Sequence, residues 1–279
     1  MTRAQPLSEQ QFRSRWFWAV AAAVLSMMTV ACTTTSTGAD GSAREVPKTE
    51  SDTTNAERRA NVRTELAKGY FTQGQYTTAL DEIKQALAAK PDMRDAINLR
   101  GLVYAAMGEI QLADDSFRRA QDMFPRDPDI MHNYGWYLCQ QKRYPAAFEQ
   151  FSRALAQPDY RGAARTLLAR GVCELSAGQS AEAQASLAKA FELDPANPAI
   201  AYNLANVLYR NKEYERARFY INRVNAQAGQ SNAQTLWLEL RVERKLGHPV
   251  SVDELGQRLR KDYAQSPENL SLGAGRFDD

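Results

Sequence analysis

Three stretches of different hydropathy divide the chain. Residues 16–30 form a nearly unbroken apolar run behind Arg13 and Arg15. Residues 33–56 are rich in Thr, Ser, Gly, Asp and Glu and hold few apolar side chains. From about residue 58 onward apolar positions return every three or four residues, which is the spacing of helices with one buried face. These helical runs come in pairs, and the pairs repeat. In residues 94–127, Gly101, Tyr104, Ala113, Phe117, Ala120 and Pro125 stand at places 8, 11, 20, 24, 27 and 32 of a 34-residue unit. One period earlier the same places hold Ala67, Tyr70, Ala79, Ile83, Ala86 and Pro91. One period later they hold Gly135, Leu138, Ala147, Phe151 and Ala154. A slip of two residues follows around Tyr160–Ala163, and the phase resumes with Gly171, Ala183, Leu187, Ala190 and Pro195, then with Ala205, Leu208, Ala217, Ile221 and Val224. Small residues at places 8, 20 and 27 let two antiparallel helices approach closely. Aromatic or branched residues at 11 and 24 fill the seam between them, and the proline at 32 stops the second helix.

A 34-residue helix-turn-helix period with these key places resembles the tetratricopeptide repeat (TPR). The resemblance implies an all-α superhelical solenoid of about six units, at residues 60–93, 94–127, 128–163, 164–197, 198–231 and 232–267. The last unit is degraded and breaks at Gly247-His248-Pro249. The first helix of unit one carries Val62, Leu66, Tyr70 and Phe71 as its apolar positions. Residues 268–279 read as a loose tail. In such arrays first-helix places 2, 5, 9 and 12 line the concave surface. In this register the candidate groove holds Lys68, Phe71, Asn98, Leu102, His132, Trp136, Leu168, Val172, Tyr202, Asn206 and Tyr209. Apolar, aromatic and amide side chains suit an extended or helical peptide, with Trp136 as its anchor. Asn206 alone does not make the basic-and-amide set that clamps a chain-terminal carboxylate.

The amino-terminal 31 residues read as a signal peptide: two arginines, then an apolar run too short to span a bilayer comfortably, then a small residue. Thr29-Val30-Ala31-Cys32 resembles the bacterial lipobox, with Thr29 standing where leucine is usual. That resemblance implies that Cys32 carries the lipids, that no other cofactor is needed, and, with threonine rather than aspartate at 33, that the anchor lies in the outer membrane facing the periplasm. Residues 32–57 would then be a disordered tether. Its flexible part reaches roughly 25–30 Å.

Composition narrows the function further. The net charge is +2, and the signal region accounts for it, so the mature chain gives no electrostatic case for nucleic acid. Three cysteines, at 32, 139 and 173, lack zinc-site spacing. Cys139 and Cys173 sit on the first helices of neighbouring units. They are either a disulfide in an oxidising compartment or two free thiols in a helical core. No phosphate-binding loop, nucleophile elbow or metalloprotease motif occurs. His132 and His248 lie far apart along the array, and the acidic residues fall on solvent phases, so no catalysis and no small-molecule substrate are expected.

The signal with its lipobox, the six repeat-like units and the segment Asn133-Tyr134-Gly135-Trp136-Tyr137-Leu138-Cys139-Gln140 together resemble the TPR-containing pilotin lipoproteins of type IV pilus systems, the PilF/PilW type. The resemblance implies that the partner is the pilus secretin, whose subunits the groove binds while the lipid takes them to the outer membrane to multimerise. The alternative is another periplasmic TPR scaffold, serving outer-membrane protein assembly, cell-wall enzymes or stabilisation of pilus fibres.

Overall fold

The computed structural model describes residues 54–227 and 229–277. The expectations for the signal peptide, Cys32 and nearly all of the tether lie outside these residues. Within them the chain is all-helical, with thirteen helices and no strand. They are α1 (Asn55–Thr72), α2 (Tyr76–Ala89), α3 (Arg94–Ala106), α4 (Ile110–Met123), α5 (Pro128–Gln140), α6 (Tyr144–Leu155), α7 (Ala163–Ser176), α8 (Ser180–Leu193), α9 (Pro198–Arg210), α10 (Tyr214–Asn225), α11 (Ala233–Leu246), α12 (Pro249–Asp262) and α13 (Pro267–Gly273). The first twelve pair off as six antiparallel hairpins. The first helices α1, α3, α5, α7, α9 and α11 also touch one another in succession, whereas the second helices do not. First helices therefore form an inner, more tightly spaced layer, which is what a concave face requires.

Local sequence sets the ends of these helices. Asp127 accepts from the amide of Ile130 at 2.9 Å with Pro128 directly after it, and Asn197 caps α9 in the same way ahead of Pro198. Asn232 and Thr235 form a reciprocal capping box at the start of α11. Thr54 caps α1 through the amide of Glu57, so helix begins at Asn55 and takes in the residues assigned to the end of the tether. The turn inside each hairpin needs a left-handed residue. Gly108 supplies it in unit two with φ 78°, while Lys142 and Lys212 take the equivalent place in units three and five at 59° and 64°.

Within a hairpin the seam is set by contact distance. A Cβ built on Gly101 would lie 2.9 Å from the Phe117 ring, one on Gly135 2.9 Å from Phe151, and one on Gly171 2.6 Å from Leu187. These second-helix side chains are completely buried. The hydrophobic clusters run along the array in sequence, and the first three are shared by neighbouring units, as a quasi-one-dimensional solenoid demands, while the last joins unit six to the segment after it.

Three expectations change. Val62 and Leu66 are 58% and 44% exposed, not core. They open unit one, and among the described residues no second helix precedes them, whereas Ile130 and Ile200 are buried against second-helix side chains of the unit before. The acidic residues are not all solvated. Asp114 is buried and accepts two bonds from Arg143, at 2.8 and 2.9 Å, and one from the Tyr134 hydroxyl at 3.3 Å. Glu174 is buried against Arg170, and Glu243 against Arg218 and His248. Such carboxylates are desolvated, so each needs its cation close by. Finally, residues 267–277 are not a loose tail. Pro267–Gly273 is helical, and Phe277 packs on Trp237.

The seam constraint gives a paired test. Gly135→Ala is expected to cost about 1–3 kcal/mol in urea unfolding, because the added methyl drives into Phe151. Gly69→Ala, inside α1 with no atom near its Cβ, is expected to leave stability unchanged or raise it by up to about 1 kcal/mol.

Candidate functional site

The groove residues fall on the inner layer, but they do not all face outward from it. Lys68 on α1 reaches Glu65 at 2.7 Å and, across to the next unit, Asp95 at 3.5 Å. Burial alone would lower its pKa; the hydrogen bond to Glu65 and the Asp95 and Glu65 charges outweigh it, and the net shift is upward. Phe71 is half-buried with its ring 5.8 Å from Tyr76. Leu102 on α3 is half-buried and touches the clusters on both sides of it. Asn98, also on α3, buries its side-chain oxygen without a hydrogen-bond partner. Trp136 on α5 is half-buried and packs against the cluster of Phe117, Tyr134, Tyr137 and Phe151, leaving part of the indole accessible. Leu168 and Val172 on α7 and Tyr202, Asn206 and Tyr209 on α9 are half-buried as well. Burial raises the Tyr202 pKa.

His132 departs from the expectation. It is a buried side chain, not a groove residue: only 8% of it is exposed. Its Nδ1 lies 2.9 Å from the Thr166 hydroxyl of α7, which in turn lies 2.8 Å from the Tyr160 hydroxyl. Tyr160 comes from the two-residue slip between units three and four. The inserted turn places its ring beside Thr166, and the imidazole is closed in below α7. Burial, with a smaller effect of the Arg165 charge, lowers the His132 pKa to about 4.

Seven residues further along α5, Cys139 and Cys173 are joined by a disulfide with Cα atoms 5.9 Å apart. That spacing suits a bridge without backbone movement. The His132–Thr166 and Cys139–Cys173 links share the same separation of 34 residues. Together they fix α5 against α7 at two points, below and above Trp136. The sequence reasoning missed Tyr137, which is as deeply buried as the seam residues and donates to the Ile110 carbonyl at 2.9 Å. It also missed Asp114 and Arg143. Their signal was an acid inside the apolar phase of α4 and an arginine at the hairpin turn of the next unit.

The inner face therefore offers a discontinuous row of half-buried apolar and aromatic side chains from Phe71 to Tyr209, bordered by Lys68 and Asp95 at one end and Arg241 at the other. Arg241 lies 4.9 Å from the Tyr209 ring centre. No group of three metal-ligating side chains occurs among the described residues, nor does any helix there long and apolar enough to cross a membrane.

Known proteins share this arrangement. Tetratricopeptide-repeat models match residues 64–113, 98–164 and 174–237. The type IV pilus assembly protein PilF of Pseudomonas aeruginosa is 29% identical over 204 residues, which span 73% of this chain and 81% of that protein. A solved structure of PilF from P. aeruginosa superposes with a TM-score of 0.70 at 27% identity, covering 80% of this chain and 100% of the other. The structure of PilW, described as a widely conserved type IV pilus biogenesis factor, also gives 0.70 at 27% identity, over 76% and 97%.

Two outcomes follow from the α5–α7 contact. His132 titrates near 6.5 when unfolded and near 4 when folded. Between those values the unfolded chain binds more protons, so the stability contribution is complete above pH 6.5 and is lost as pH falls toward 4. The full effect is about 3 kcal/mol. Urea unfolding across that window should show the slope, and His132→Phe should flatten it. Reducing the disulfide, or Cys139→Ser with Cys173→Ser, is expected to lower stability by about 2–4 kcal/mol, given the loop it closes.

Proposed function

We propose, from the premise that this chain is a tetratricopeptide-repeat protein homologous to the type IV pilus assembly protein PilF, that it is an outer-membrane lipoprotein acting as a pilotin in pilus biogenesis. Its client is the pilus secretin. The inner face of the solenoid binds secretin subunits, the lipid on Cys32 holds the complex at the outer membrane, and the subunits multimerise there. The observation that carries this reading is the match to PilF, in which the whole solved chain of that protein superposes on this one. The groove chemistry supports it as well. A row of half-buried apolar side chains with a partly accessible tryptophan favours a protein segment as ligand.

The work done by such a protein is thermodynamic, not chemical. A tethered groove converts encounter with a membrane-bound client into a local event, whose strength depends on linker reach. Anchoring and binding are therefore separable. In a strain lacking the gene, the heat-resistant secretin multimer should disappear from outer-membrane fractions, and the wild-type gene should restore it. Cys32→Ala is expected to leave secretin binding in a pulldown but to lose the outer-membrane multimer. Trp136→Ala is expected to keep the protein anchored and weaken the pulldown about tenfold or more, in the range of an interface anchor. Persistence of multimers at the outer membrane without the gene would overturn secretin assembly. Recovery of a barrel-assembly component or a cell-wall enzyme instead of the secretin would assign the groove to that client.

A further inference from the structure

The segment after unit six is attached to the array in an unusual way. No residue of α13 is buried, and Leu270 is 62% exposed. Among the described residues, its hydrogen bonds close locally: Arg276 donates to the Ser271 carbonyl, Gly275 to Leu272, and the Asn269 side chain to Ala264. Two side chains, Leu272 and Phe277, pack it onto the final cluster of Leu236, Trp237, Leu240, Leu255 and Leu259. The Phe277 ring stacks on Trp237 with centres 5.5 Å apart, and the Arg244 guanidinium lies 4.0 Å from its centre. An aromatic ring is thus held between an indole and a cation, a geometry that favours aromatic over aliphatic side chains. On the same helix Arg241 lies 5.8 Å from Trp237 and 4.9 Å from Tyr209. The seat of Phe277 is therefore continuous with the groove residue Tyr209.

We propose that the Trp237–Arg244 seat is a recognition site for an aromatic side chain flanked by carboxylates on a partner protein, and that this chain's own Pro267–Phe277 segment occupies it until displaced. The internal occupant displays the chemistry. Phe277 is followed in the sequence by Asp278 and Asp279, while α11 presents Arg241, Arg244 and Lys245 within two turns. A segment with no buried helical residue and with local hydrogen bonds belongs to the part of a fold that opens without global unfolding. A partner carrying the same aromatic–acidic pattern competes for the seat, and its affinity is reduced by the fraction of molecules in which the seat is closed. This inference stands apart from the identity of the groove's client.

The test uses the purified full chain and the pentapeptide acetyl-Gly-Arg-Phe-Asp-Asp-amide, the sequence of residues 275–279. Binding is followed by tryptophan fluorescence, with Trp237→Phe as the control that removes the signal. Phe277→Ala, which vacates the seat, should bind the peptide at least tenfold more tightly than the wild type. Adding Arg244→Ala should reverse most of that gain. A peptide with alanine for phenylalanine should not bind. Equal binding by Phe277→Ala and wild type, with unchanged helicity, would overturn the proposal, as would indifference to Arg244→Ala. Hydrogen exchange on the wild type needs no variant: amides of residues 270–277 should exchange at least tenfold faster than those of α11 and α12. Equal protection would make the segment a permanent cap and sink the idea of displacement. Dimers formed by exchange of this segment between copies would reassign the seat to self-association.

Discussion

At Gly101, Gly135 and Gly171 the two helices of a hairpin approach so closely that the glycine has no room for a methyl group against the ring or branched chain opposite. Everything else in the solenoid depends on this contact. It sets the tilt of first against second helices, and so decides which first-helix residues turn toward the neighbouring units. Because it recurs, the same geometry is applied again at each unit. First helices then pack on first helices while second helices stay apart. The inner face is a consequence of that asymmetry. No residue on the face had to be selected for the face to exist, and its chemistry was left open to the side chains at places 2, 5, 9 and 12.

The junction of units three and four shows how a departure from the repeat is absorbed. Two extra residues near Tyr160 would throw α7 out of phase if the contact were purely apolar. Three polar or covalent links hold it instead. His132 meets Thr166, Thr166 meets Tyr160, and Cys139 is bonded to Cys173. On the other side of α5, Asp114 draws together Tyr134, Arg143 and Arg118 from the unit before and the unit itself. The helix that carries Trp136 is thus tied to its neighbours on both sides. A binding anchor on a rigid element loses little freedom when it engages a partner, which favours affinity.

The two ends of the array are unlike. At the amino-terminal end, no described second helix precedes unit one, and Val62 and Leu66 are exposed. At the other end, α13 and Phe277 cover the final cluster. A solenoid has to terminate its core in some way, and here one end does so with a short covering segment held by aromatic and cationic contacts.

The sequence alone determined the repeat. Glycine and alanine at places 8, 20 and 27, with an aromatic or branched residue at 24, are steric requirements of one hairpin, and local requirements leave a local trace. Only the tertiary structure decided which polar residues are inside. Asp114 sits in the apolar phase of α4 and Glu243 does not announce itself, and the partners of both, Arg143 and Arg218, lie 29 and 25 residues away. His132 occupied a groove place by register, yet the inserted turn and α7 closed over it. Phe277 sat in a segment with no periodicity, and its seat on Trp237 and Arg244 is made by a helix some thirty to forty residues earlier. Periodicity records what one element needs of its nearest neighbour. Burial of a charge or a single ring depends on chain segments brought together by the curvature of the whole array, and no spacing in the sequence encodes that.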